Sequence, residues 1–213
     1  MSWKFALEPY IKNPGGFESD EVIFYDDKVV IIRDKFAKSV CHLLVLIRDP
    51  QLTRQHPTTA LTLKVQNDLD QYIDRAQDYA YKDFTSRYKP LKLDPFFGSD
   101  DEFNDKYSFI DSFIQVGVHS VPSMANLHIH VMTKDLNSDR LKNKKHYNSF
   151  TTDFFVNWDK LPLDQVPDPK ATEEQYLKNH DLICQYCGQN FSNKFAKLRQ
   201  HLTQEFDQHF RAV

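Results

Sequence analysis

Residues 123–131 constrain the fold of this chain more than any other segment. Their sequence, SMANLHIHV, alternates polar and apolar side chains with the period of a β-strand. Asn126, His128 and His130 therefore share one face, while Leu127 and Ile129 point into a core. The rise along a strand holds the two imidazoles about 7 Å apart. Two histidines on one face of a rigid strand are more typical of chemistry or metal binding than of packing.

The composition predicts one main domain with a small appendage. The chain has 213 residues, of which 40% are hydrophobic and 14% aromatic, enough for a sizeable core. Its net charge of −3 excludes a uniformly basic nucleic-acid binder but allows a local basic patch. No apolar run reaches about 18 residues, so we expect no membrane association and no signal peptide. The three cysteines give no disulfide framework, so we expect a reduced, intracellular protein.

Hydrophobic periodicity predicts an α+β fold. One helix is predicted from Trp3 to Ile11, and a long amphipathic helix over 57–88. Residues 89–106 carry prolines and acidic clusters without periodicity, which predicts a surface insertion. Short strands joined by short turns favour an antiparallel sheet with flanking helices. The predicted strands are residues 22–25, 28–33, 42–47, 109–118 and 127–133.

The last 33 residues of the chain are predicted to form a separate small unit. From residue 159 the composition shifts to proline and aspartate, which is typical of a linker. A helix that begins near Ser192 places Phe195, Leu198 and Leu202 on one stripe. We therefore predict a main domain over 1–158, a linker over 159–180 and a terminal unit over 181–213.

The terminal unit contains a candidate metal site. Cys184 and Cys187 form a C-x-x-C pair, and His201 lies on the predicted helix. Zinc takes four such ligands in a tetrahedron. Glu205 lies one helical turn beyond His201 on the same face, whereas His209 would require the helix to end early. The spacing favours Glu205 as the fourth ligand and keeps His209 as the alternative.

The cysteine pair has two other interpretations. A redox-active C-x-x-C would sit beside a β-α-β unit, which the sequence does not predict here. Two inert thiols near a chance histidine would leave about 33 residues to form a stable core unaided, which is rare at that length. We therefore favour a structural zinc ion.

The histidine strand itself has three interpretations. His128 and His130 could be zinc ligands, although His119 is the only further ligand signal nearby. They could be polar residues on a solvated face, the commonest fate of isolated histidines. They could also include a nucleophile, because neutral imidazole attacks phosphorus well when a hydrogen bond to its other nitrogen fixes the tautomer. The surrounding residues decide among these interpretations.

The surrounding sequence resembles a known family. Residues 123–131 resemble the signature of the histidine triad (HIT) nucleotide hydrolases and transferases. Residues 119–124 (HSVPSM) and 140–150 (RLKNKKHYNSF) narrow the resemblance to the aprataxin branch, which the cysteine unit also fits. The resemblance is weakest over the long helix and the 89–106 insertion. It implies a HIT-like domain with an antiparallel sheet and a C-terminal zinc finger.

The resemblance implies a DNA-repair hydrolase that removes AMP from 5′-adenylated DNA ends left by abortive ligation. His128 would attack the AMP phosphorus and form a covalent histidine–AMP intermediate, which water then hydrolyses. His119 would protonate the leaving group, and Ser123 would hold phosphate oxygens. His130 matches the third triad histidine, and His42 matches the buried histidine that supports it. The implied cofactor is structural zinc, with no metal at the catalytic site.

The same resemblance assigns residues that bind the nucleotide and DNA. Asp34 would accept hydrogen bonds from the ribose hydroxyls, and Lys38 would bind a phosphate. Trp3 would stack on the terminal base pair, which is a sequence-tolerant contact. Residues 140–146 form a basic run in an otherwise acidic chain, which suits DNA phosphates. The other assigned residues are Leu7 and Asn126 for the nucleotide, and Arg140, Lys142, Lys144, Lys145 and His146 for DNA.

Asn126 departs from the family pattern. It replaces the first triad histidine with a side chain that cannot titrate, so any proton transfer by that position is lost. Two alternatives therefore accompany the repair enzyme: a general HIT hydrolase of small adenosine phosphoramidates or dinucleoside polyphosphates, and a nucleic-acid-binding module without activity. The resemblance favours a monomer in the nucleus, with the cytoplasm as a second compartment.

Overall fold

The structure, a computed structural model, describes residues 3–91 and 95–213. Eight strands pair in two antiparallel sheets, in agreement with the predicted α+β class. In chain order they are β1 (Val22–Tyr25), β2 (Val29–Arg33), β3 (His42–Ile47), β4 (Tyr88–Pro90), β5 (Ile114–His119), β6 (His128–Thr133), β7 (Phe155–Asn157) and β8 (Phe210–Ala212). The main sheet has the order β1-β2-β3-β6-β5-β7, and β4 pairs with β8 alone.

The two faces of the sheet differ chemically at its two central strands, β3 and β6. β3 and β6 pair with Leu44 opposite His130 and Leu46 opposite His128. Because side chains alternate along a strand, His128 and His130 lie on one face, as the sequence predicted, and the structure adds Leu44 and Leu46 to that face. Ile129 and Val131 point to the other face and are fully buried in the main core.

The helices of the structure cover both faces of the sheet. The first predicted helix is divided into a 3₁₀ turn, Trp3–Phe5, and a short helix that includes Pro9. None of the helices among the described residues has the length and apolar character needed to cross a membrane. In chain order they are α1 (Glu8–Lys12), α2 (Pro57–Ala60), α3 (Leu63–Arg87), α4 (Asp100–Asn104), α5 (Lys106–Phe113), α6 (Lys144–Thr151), α7 (Pro169–Thr172) and α8 (Phe195–His209).

The predicted helix over 57–88 is interrupted. Thr62 has an extended backbone and caps α3, since its side-chain oxygen accepts a hydrogen bond from the amide of Val65. The threonine hydroxyl satisfies a free backbone amide at the start of a helix. Thr62 therefore favours a new helix start at this point over continuation of α2. The sequence pattern alone did not separate the short α2 from α3.

The predicted strand over 109–118 is wrong in its first half. Residues up to Phe113 form α5, which begins after Asp105, whose carboxylate accepts a hydrogen bond from the amide of Ser108 at 2.8 Å. Phe109 and Phe113 lie four residues apart and are both fully buried, which is helical spacing. The apolar run continues directly into β5, so periodicity did not show where the helix ends.

The predicted surface insertion over 89–106 contributes to the core. It contains α4 and part of β4, and the side chains of Phe97 and Phe103 are buried. Residues 92–94 of this segment lie outside the described residues. Burial of two phenylalanines stabilises the fold by about 1.5–3 kcal/mol each relative to an exposed position.

The terminal unit shares the core of the main domain. Phe206 and Phe210 contact the ring of Phe84 in α3, with ring centroids 6.3 and 5.2 Å apart. β8 pairs with β4, which directly follows α3. The segment predicted as a linker contains α7 and a π-helical stretch, Glu173–Asn179, that packs against α6. A single hydrophobic cluster therefore joins the two parts of the chain.

Candidate active site and metal centre

Four histidines from three strands meet on one face of the sheet. His128 and His130 come from β6, His42 from β3, and His119 from the end of β5. The ring centroid of His130 lies 5.0 Å from that of His128, 5.1 Å from that of His42 and 4.6 Å from that of His119. The structure thus brings together the four imidazoles that the sequence and the resemblance singled out.

The tautomer of His128 is fixed by the main chain. Its Nδ1 lies 2.7 Å from the carbonyl oxygen of Asn126. A carbonyl oxygen only accepts hydrogen bonds, so Nδ1 must carry the proton and Nε2 must carry the lone pair. His128 can therefore present Nε2 as a nucleophile without first losing a proton.

A second chain of hydrogen bonds fixes the tautomers of His42 and His130. The amide of Lys38 donates to Nδ1 of His42 at 3.2 Å, so the proton of His42 sits on Nε2. That Nε2 lies 2.9 Å from Nδ1 of His130 and donates to it. The neutral His130 ring therefore carries its own proton on Nε2, which is positioned as a hydrogen-bond donor.

Two imidazole nitrogens of the cluster lack partners. Nε2 of His119 and Nε2 of His130 are buried and form no hydrogen bond with any described residue. Leaving a buried polar group unpaired costs about 1–3 kcal/mol, unless a ligand satisfies it. Both atoms are thus suited to contact the oxygens of a bound phosphate group.

Burial keeps the histidine cluster neutral. It lowers the pKa of His42 from 6.5 to about 4, with the nearby Asp34 opposing the change. It lowers the pKa of His119 to about 3, reinforced by the neighbouring histidines and Lys38. The pKa of His128 is also below its usual 6.5, again through burial. At neutral pH the nucleophilic nitrogen is therefore free of a proton.

Asp34 and Lys38 lie on the loop between β2 and β3, beside the cluster. Asp34 accepts a hydrogen bond from the amide of Phe36 at 2.8 Å, and its other oxygen lies 3.6 Å from Nδ1 of His42. The Lys38 ammonium donates to the carbonyl oxygen of Phe36. Both predicted nucleotide-binding residues therefore lie on the histidine side of the sheet.

The basic run lies next to the cluster. The ring of Phe150, at the end of the same segment, lies 5.4 Å from that of His42, and the guanidinium of Arg140 lies 5.8 Å from the ring of Phe36 in the loop that carries Lys38. The amide of Lys142 donates to Nδ1 of His146 at 3.2 Å. Arg140 and Lys145 are exposed, whereas the ammonium of Lys144 donates to Asn193 of the terminal unit.

Three further residues that the resemblance assigned are Trp3, Leu7 and Ser123, which belong to the N-terminal segment and to the loop before β6. Trp3 is 62% exposed, and the adjacent Lys4 carbonyl accepts a hydrogen bond from the amide of Ala125 at 2.8 Å. That contact holds the N-terminal turn against the loop that carries the exposed Ser123. Leu7 is buried in a smaller apolar cluster on the histidine side, together with Leu44 and Leu46 of β3.

Sequence reasoning missed the aromatic residues that enclose the cluster. Phe150 lies 4.7 Å from His119 and 5.2 Å from His130 between ring centroids. Phe155 packs over Gly117, where an added Cβ would lie 2.7 Å from its ring and 2.3 Å from the carbonyl oxygen of Val156. Phe150 stood within the basic block of the resemblance, but its apolar character gave no sign of a position beside the histidines.

Thr53 was missed as well, and it holds the residues before His128. Its carbonyl oxygen accepts a hydrogen bond from the amide of Leu127 at 2.7 Å. Its hydroxyl lies 3.4 Å from Nδ2 of Asn126, while the other side-chain atom, Oδ1 of Asn126, is buried without a described partner. Nothing in the local sequence around Thr53 indicates this contact.

The predicted metal ligands converge in the terminal unit. Ligand atoms of Cys184, Cys187, His201 and Glu205 all lie within 4.8 Å of one another. Nε2 of His201 lies 3.1 Å from Sγ of Cys187 and 3.0 Å from Oε1 of Glu205. Two sulfurs, one imidazole and one carboxylate are a donor set that zinc accepts in a tetrahedron.

His209, the alternative ligand, does not belong to this group. α8 continues through residue 209, so the helix does not end early as that alternative required. Its Nε2 lies 3.3 Å from Oε2 of Glu205 instead. That contact orients the Glu205 carboxylate from behind, as supporting groups around a metal commonly do.

Asp34, His42 and His130 also lie close enough to be considered as metal ligands. Nε2 of His42 and Nδ1 of His130 are hydrogen bonded to each other at 2.9 Å. A metal ion could use these two nitrogens only after breaking that bond, so the donor set fits a hydrogen-bond relay better than a metal site.

Comparisons with known proteins agree with this architecture. The HIT domain family matches residues 17–137, and the C2HE / C2H2 / C2HC zinc-binding finger family matches residues 151–208. An aprataxin-like protein of Saccharomyces cerevisiae is 50% identical over 99% of both chains. One of Schizosaccharomyces pombe is 36% identical over 97% of this chain and 83% of its own length.

Solved structures show the same fold. The crystal structure of the aprataxin ortholog Hnt3 in complex with DNA superposes with a TM-score of 0.75 and 34% identity, covering 97% of this chain and 96% of that one. A structure of Hnt3 in complex with DNA and guanosine gives a TM-score of 0.73. With its histidine cluster on a HIT sheet and its zinc-binding finger, the chain belongs to the aprataxin family of HIT-domain proteins.

Proposed function

We propose that this protein hydrolyses 5′-adenylated DNA ends, releasing AMP and leaving a 5′-phosphate. The observation that carries the proposal is the hydrogen bond from Nδ1 of His128 to the Asn126 carbonyl oxygen, which leaves Nε2 unprotonated. A nucleophile of this kind, beside several cations, suits attack on a phosphorus atom. The family supplies the substrate class, since solved relatives were crystallised with DNA.

The reaction would proceed in two steps. Nε2 of His128 attacks the AMP phosphorus, and the bond from that phosphorus to the bridging oxygen breaks. The DNA 5′-phosphate leaves with the electron pair and takes a proton from His119. Water then attacks the phosphorus of the histidine–AMP adduct and the phosphorus–nitrogen bond breaks. AMP is released and the proton of water returns to His119, which restores both histidines.

His119 must be protonated to act as the acid. In the free protein, burial lowers its pKa to about 3 and keeps the imidazole neutral. A bound pyrophosphate is negatively charged and would favour the protonated imidazole. We propose that substrate binding itself prepares His119 for proton donation. His130, with its proton on the unpaired Nε2, would donate to a phosphate oxygen.

Binding of the nucleotide and of DNA would use the residues around the cluster. Asp34 would bind the ribose hydroxyls and Lys38 a phosphate, while Leu7 and Asn126 would flank the nucleotide. The exposed Trp3 would stack on the terminal base pair. The residues that would hold the DNA backbone are Arg140, Lys142, Lys144, Lys145 and His146.

Zinc would have a structural role. Cys184, Cys187, His201 and Glu205 would hold the ion, which stabilises the terminal unit and its contacts with the main core. We propose catalysis without a second metal, in a monomer that acts mainly in the nucleus.

The direct test is release of AMP from adenylated nicked DNA. We expect His128→Ala to lower the rate by about 10³-fold or more, because no other group replaces the nucleophile. Mass spectrometry of a reaction quenched in alkaline denaturant, which preserves the acid-labile phosphorus–nitrogen bond, should detect AMP on His128 in the wild type and not in the variant. Circular dichroism and thermal unfolding would establish that the variant is folded.

Equal rates for the wild type and a folded His128→Ala variant would overturn the mechanism. Adenosine phosphoramidate serves as the comparison substrate. Equal or faster turnover of that small substrate, without any gain from DNA, would support a general HIT hydrolase instead.

A further inference from the structure

A groove lies on the side of the sheet that faces away from the histidines. It has a volume of about 580 Å³ and is lined by α3, α5, β5 and the turn after β7. Val116 of β5 pairs with Val131 of β6, so both side chains point to the helical face. Val116 is only partly buried, so α3 and α5 do not fully cover the helical face of β5 at this point.

The groove contains an apolar patch among polar side chains. Ile110, Val116 and Trp158 line it and are only partly buried. The carbonyl oxygen of Trp158 accepts a hydrogen bond from Nε2 of Gln66 at 2.8 Å, which ties the backbone of residue 158 to α3. Tyr107 stands at the rim with 75% of its surface exposed. Exposed apolar groups around a preformed depression are typical of a protein-interaction site.

The rim of the groove is acidic. Asp70 and Asp74 lie on adjacent turns of α3, and Asp111 and Asp159 lie on the opposite walls. None of these four carboxylates has an ion-pair partner within 3–91 and 95–213. Lys134 also lines the groove, and its half-buried ammonium donates to the carbonyl oxygen of Ser112 at 2.8 Å. Burial lowers the pKa of Lys134 and the nearby charge of Asp111 opposes that change, so Asp111 is partly compensated while Asp70, Asp74 and Asp159 are not.

We propose that this groove binds a short segment of another protein that carries one or two apolar side chains flanked by lysine or arginine. Apolar side chains would cover the floor, and the flanking cations would meet the unpaired aspartates. DNA is excluded from this face by like charge. The groove is also too small for the interface of a stable dimer, which buries about 1,200 Å² or more in total.

The position of the groove gives the proposal a functional consequence. The basic run and the histidines lie on the opposite side of the sheet, so the segment and a DNA end would bind at the same time. Acidic rims attract basic partners over a distance of about 8–10 Å at physiological salt. Association should therefore weaken as ionic strength rises.

The test uses the full-length, zinc-loaded protein and three fluorescein-labelled peptides of about twelve residues. The first has two central leucines flanked by lysines. The second replaces the lysines with glutamates, and the third replaces the leucines with serines. By fluorescence anisotropy we expect the first to bind at least about tenfold more tightly than either of the others.

Variants of the protein locate the binding. Asp74→Lys should weaken the first peptide by at least about tenfold, and Tyr107→Ala by about threefold. The matched control is Asp68→Lys, which makes the same change on an exposed part of α3 away from the groove and should alter affinity less than about twofold. AMP release by the groove variants should be unchanged.

Three results would overturn the proposal. The serine peptide could bind as tightly as the leucine peptide, which would show attraction by charge alone. Asp68→Lys could weaken binding as much as the groove variants. Sedimentation could reveal self-association that Tyr107→Ala abolishes, which would make a second copy of this chain the occupant.

Discussion

At the scale of single residues, the replacement of the first triad histidine by Asn126 leaves the nucleophile intact. The hydrogen bond that fixes the tautomer of His128 comes from the carbonyl oxygen of residue 126 and not from its side chain. Any side chain that preserves the backbone at this position can therefore maintain it. The presence of asparagine at position 126 suggested an inactive binding module. The substitution removes no atom that orients His128.

We accordingly expect Asn126→Ala to retain activity. Its rate of AMP release should fall less than about tenfold, because the side chain makes only a long contact with Thr53 and leaves one buried oxygen unpaired. Single-turnover kinetics on adenylated nicked DNA would measure this, with His128→Ala as the inactive reference. A loss as large as that of His128→Ala would show that the Asn126 side chain takes part in the reaction.

The buried histidines also predict how stability depends on pH. Above pH 6.5 they are neutral in both the folded and the unfolded chain. As the pH falls below 6.5, the unfolded chain takes up protons, whereas His42 and His119 stay neutral down to about 4 and 3. Each such histidine lowers the free energy of unfolding by about 1.4 kcal/mol per pH unit in that window.

One buried acid partly opposes this trend. Burial raises the pKa of Asp135 to about 6, so its folded form holds a proton that the unfolded form has lost between 3.8 and 6. Urea denaturation between pH 7 and 4.5 should nevertheless show falling stability, because several histidines outweigh one carboxyl group. His119→Gln should give a shallower decline, and a stability that rises on acidification would contradict the assignment of neutral histidines.

The sequence accounts for part of the residue-scale picture. Strand alternation correctly placed His128 and His130 on one face, and the resemblance pointed to His119 and His42. The tautomers could not be predicted, because they depend on a carbonyl oxygen and on the Lys38 amide, groups that every residue possesses. Their positions follow from the fold and not from residue type.

At the scale of elements, α6 begins with the residues proposed to hold DNA. Asn143 caps the helix, since its side-chain oxygen accepts a hydrogen bond from the amide of His146 at 2.9 Å. We expect Asn143→Ala to destabilise the protein by about 1 kcal/mol and to weaken binding of nicked DNA, because His146 and Lys142 lose their fixed positions.

Asn143→Ser is the matched control, because serine caps a helix equally well. It should restore both stability in urea and affinity in a fluorescence-anisotropy titration. If the alanine variant loses stability but binds DNA like the wild type, the cap has no part in positioning the basic residues.

The ends of a helix or strand were predictable where a single hydrophobic period ran through its whole length. β3 begins and ends where its apolar run predicted it. The junction of α5 with β5 was not predictable, because Phe109, Phe113 and Val116 fit both a helical and a strand period over so short a stretch. The cap at Asp105 is the local signal that distinguishes them.

At the scale of the whole molecule, the terminal unit and the HIT domain should unfold together. Leu198, Leu202 and Phe206 of α8 belong to the same buried cluster as Phe84 and Phe113. Removal of zinc with a chelator should therefore lower the melting temperature of a single transition, by about 5 °C or more, rather than abolish a separate small one.

Calorimetry with and without the chelator would measure this, and readdition of zinc should restore the original curve. The variant Cys187→Ser should already melt at the lower temperature. Two independent transitions, with only the smaller one sensitive to the chelator, would contradict a shared core.

The packing of the terminal unit against the main domain was the least predictable feature of the fold. Composition marked a linker and a terminal unit that appeared self-contained. The pairing of β4 with β8 joins segments separated by more than half of the chain. Such short strands carry no pattern of their own, and their pairing depends on the aromatic side chains that surround them.

This pairing has a consequence for synthesis on the ribosome. Phe84 and Phe103 are made more than 100 residues before Phe210, which packs against both. The residues of the histidine cluster are all synthesised before then, since His42, His119 and His130 precede residue 131. Until translation passes residue 210, however, the aromatic core stays open to water and to chaperones. We expect interrupted chains to be recognised by this exposed surface and degraded, even though their catalytic residues are complete.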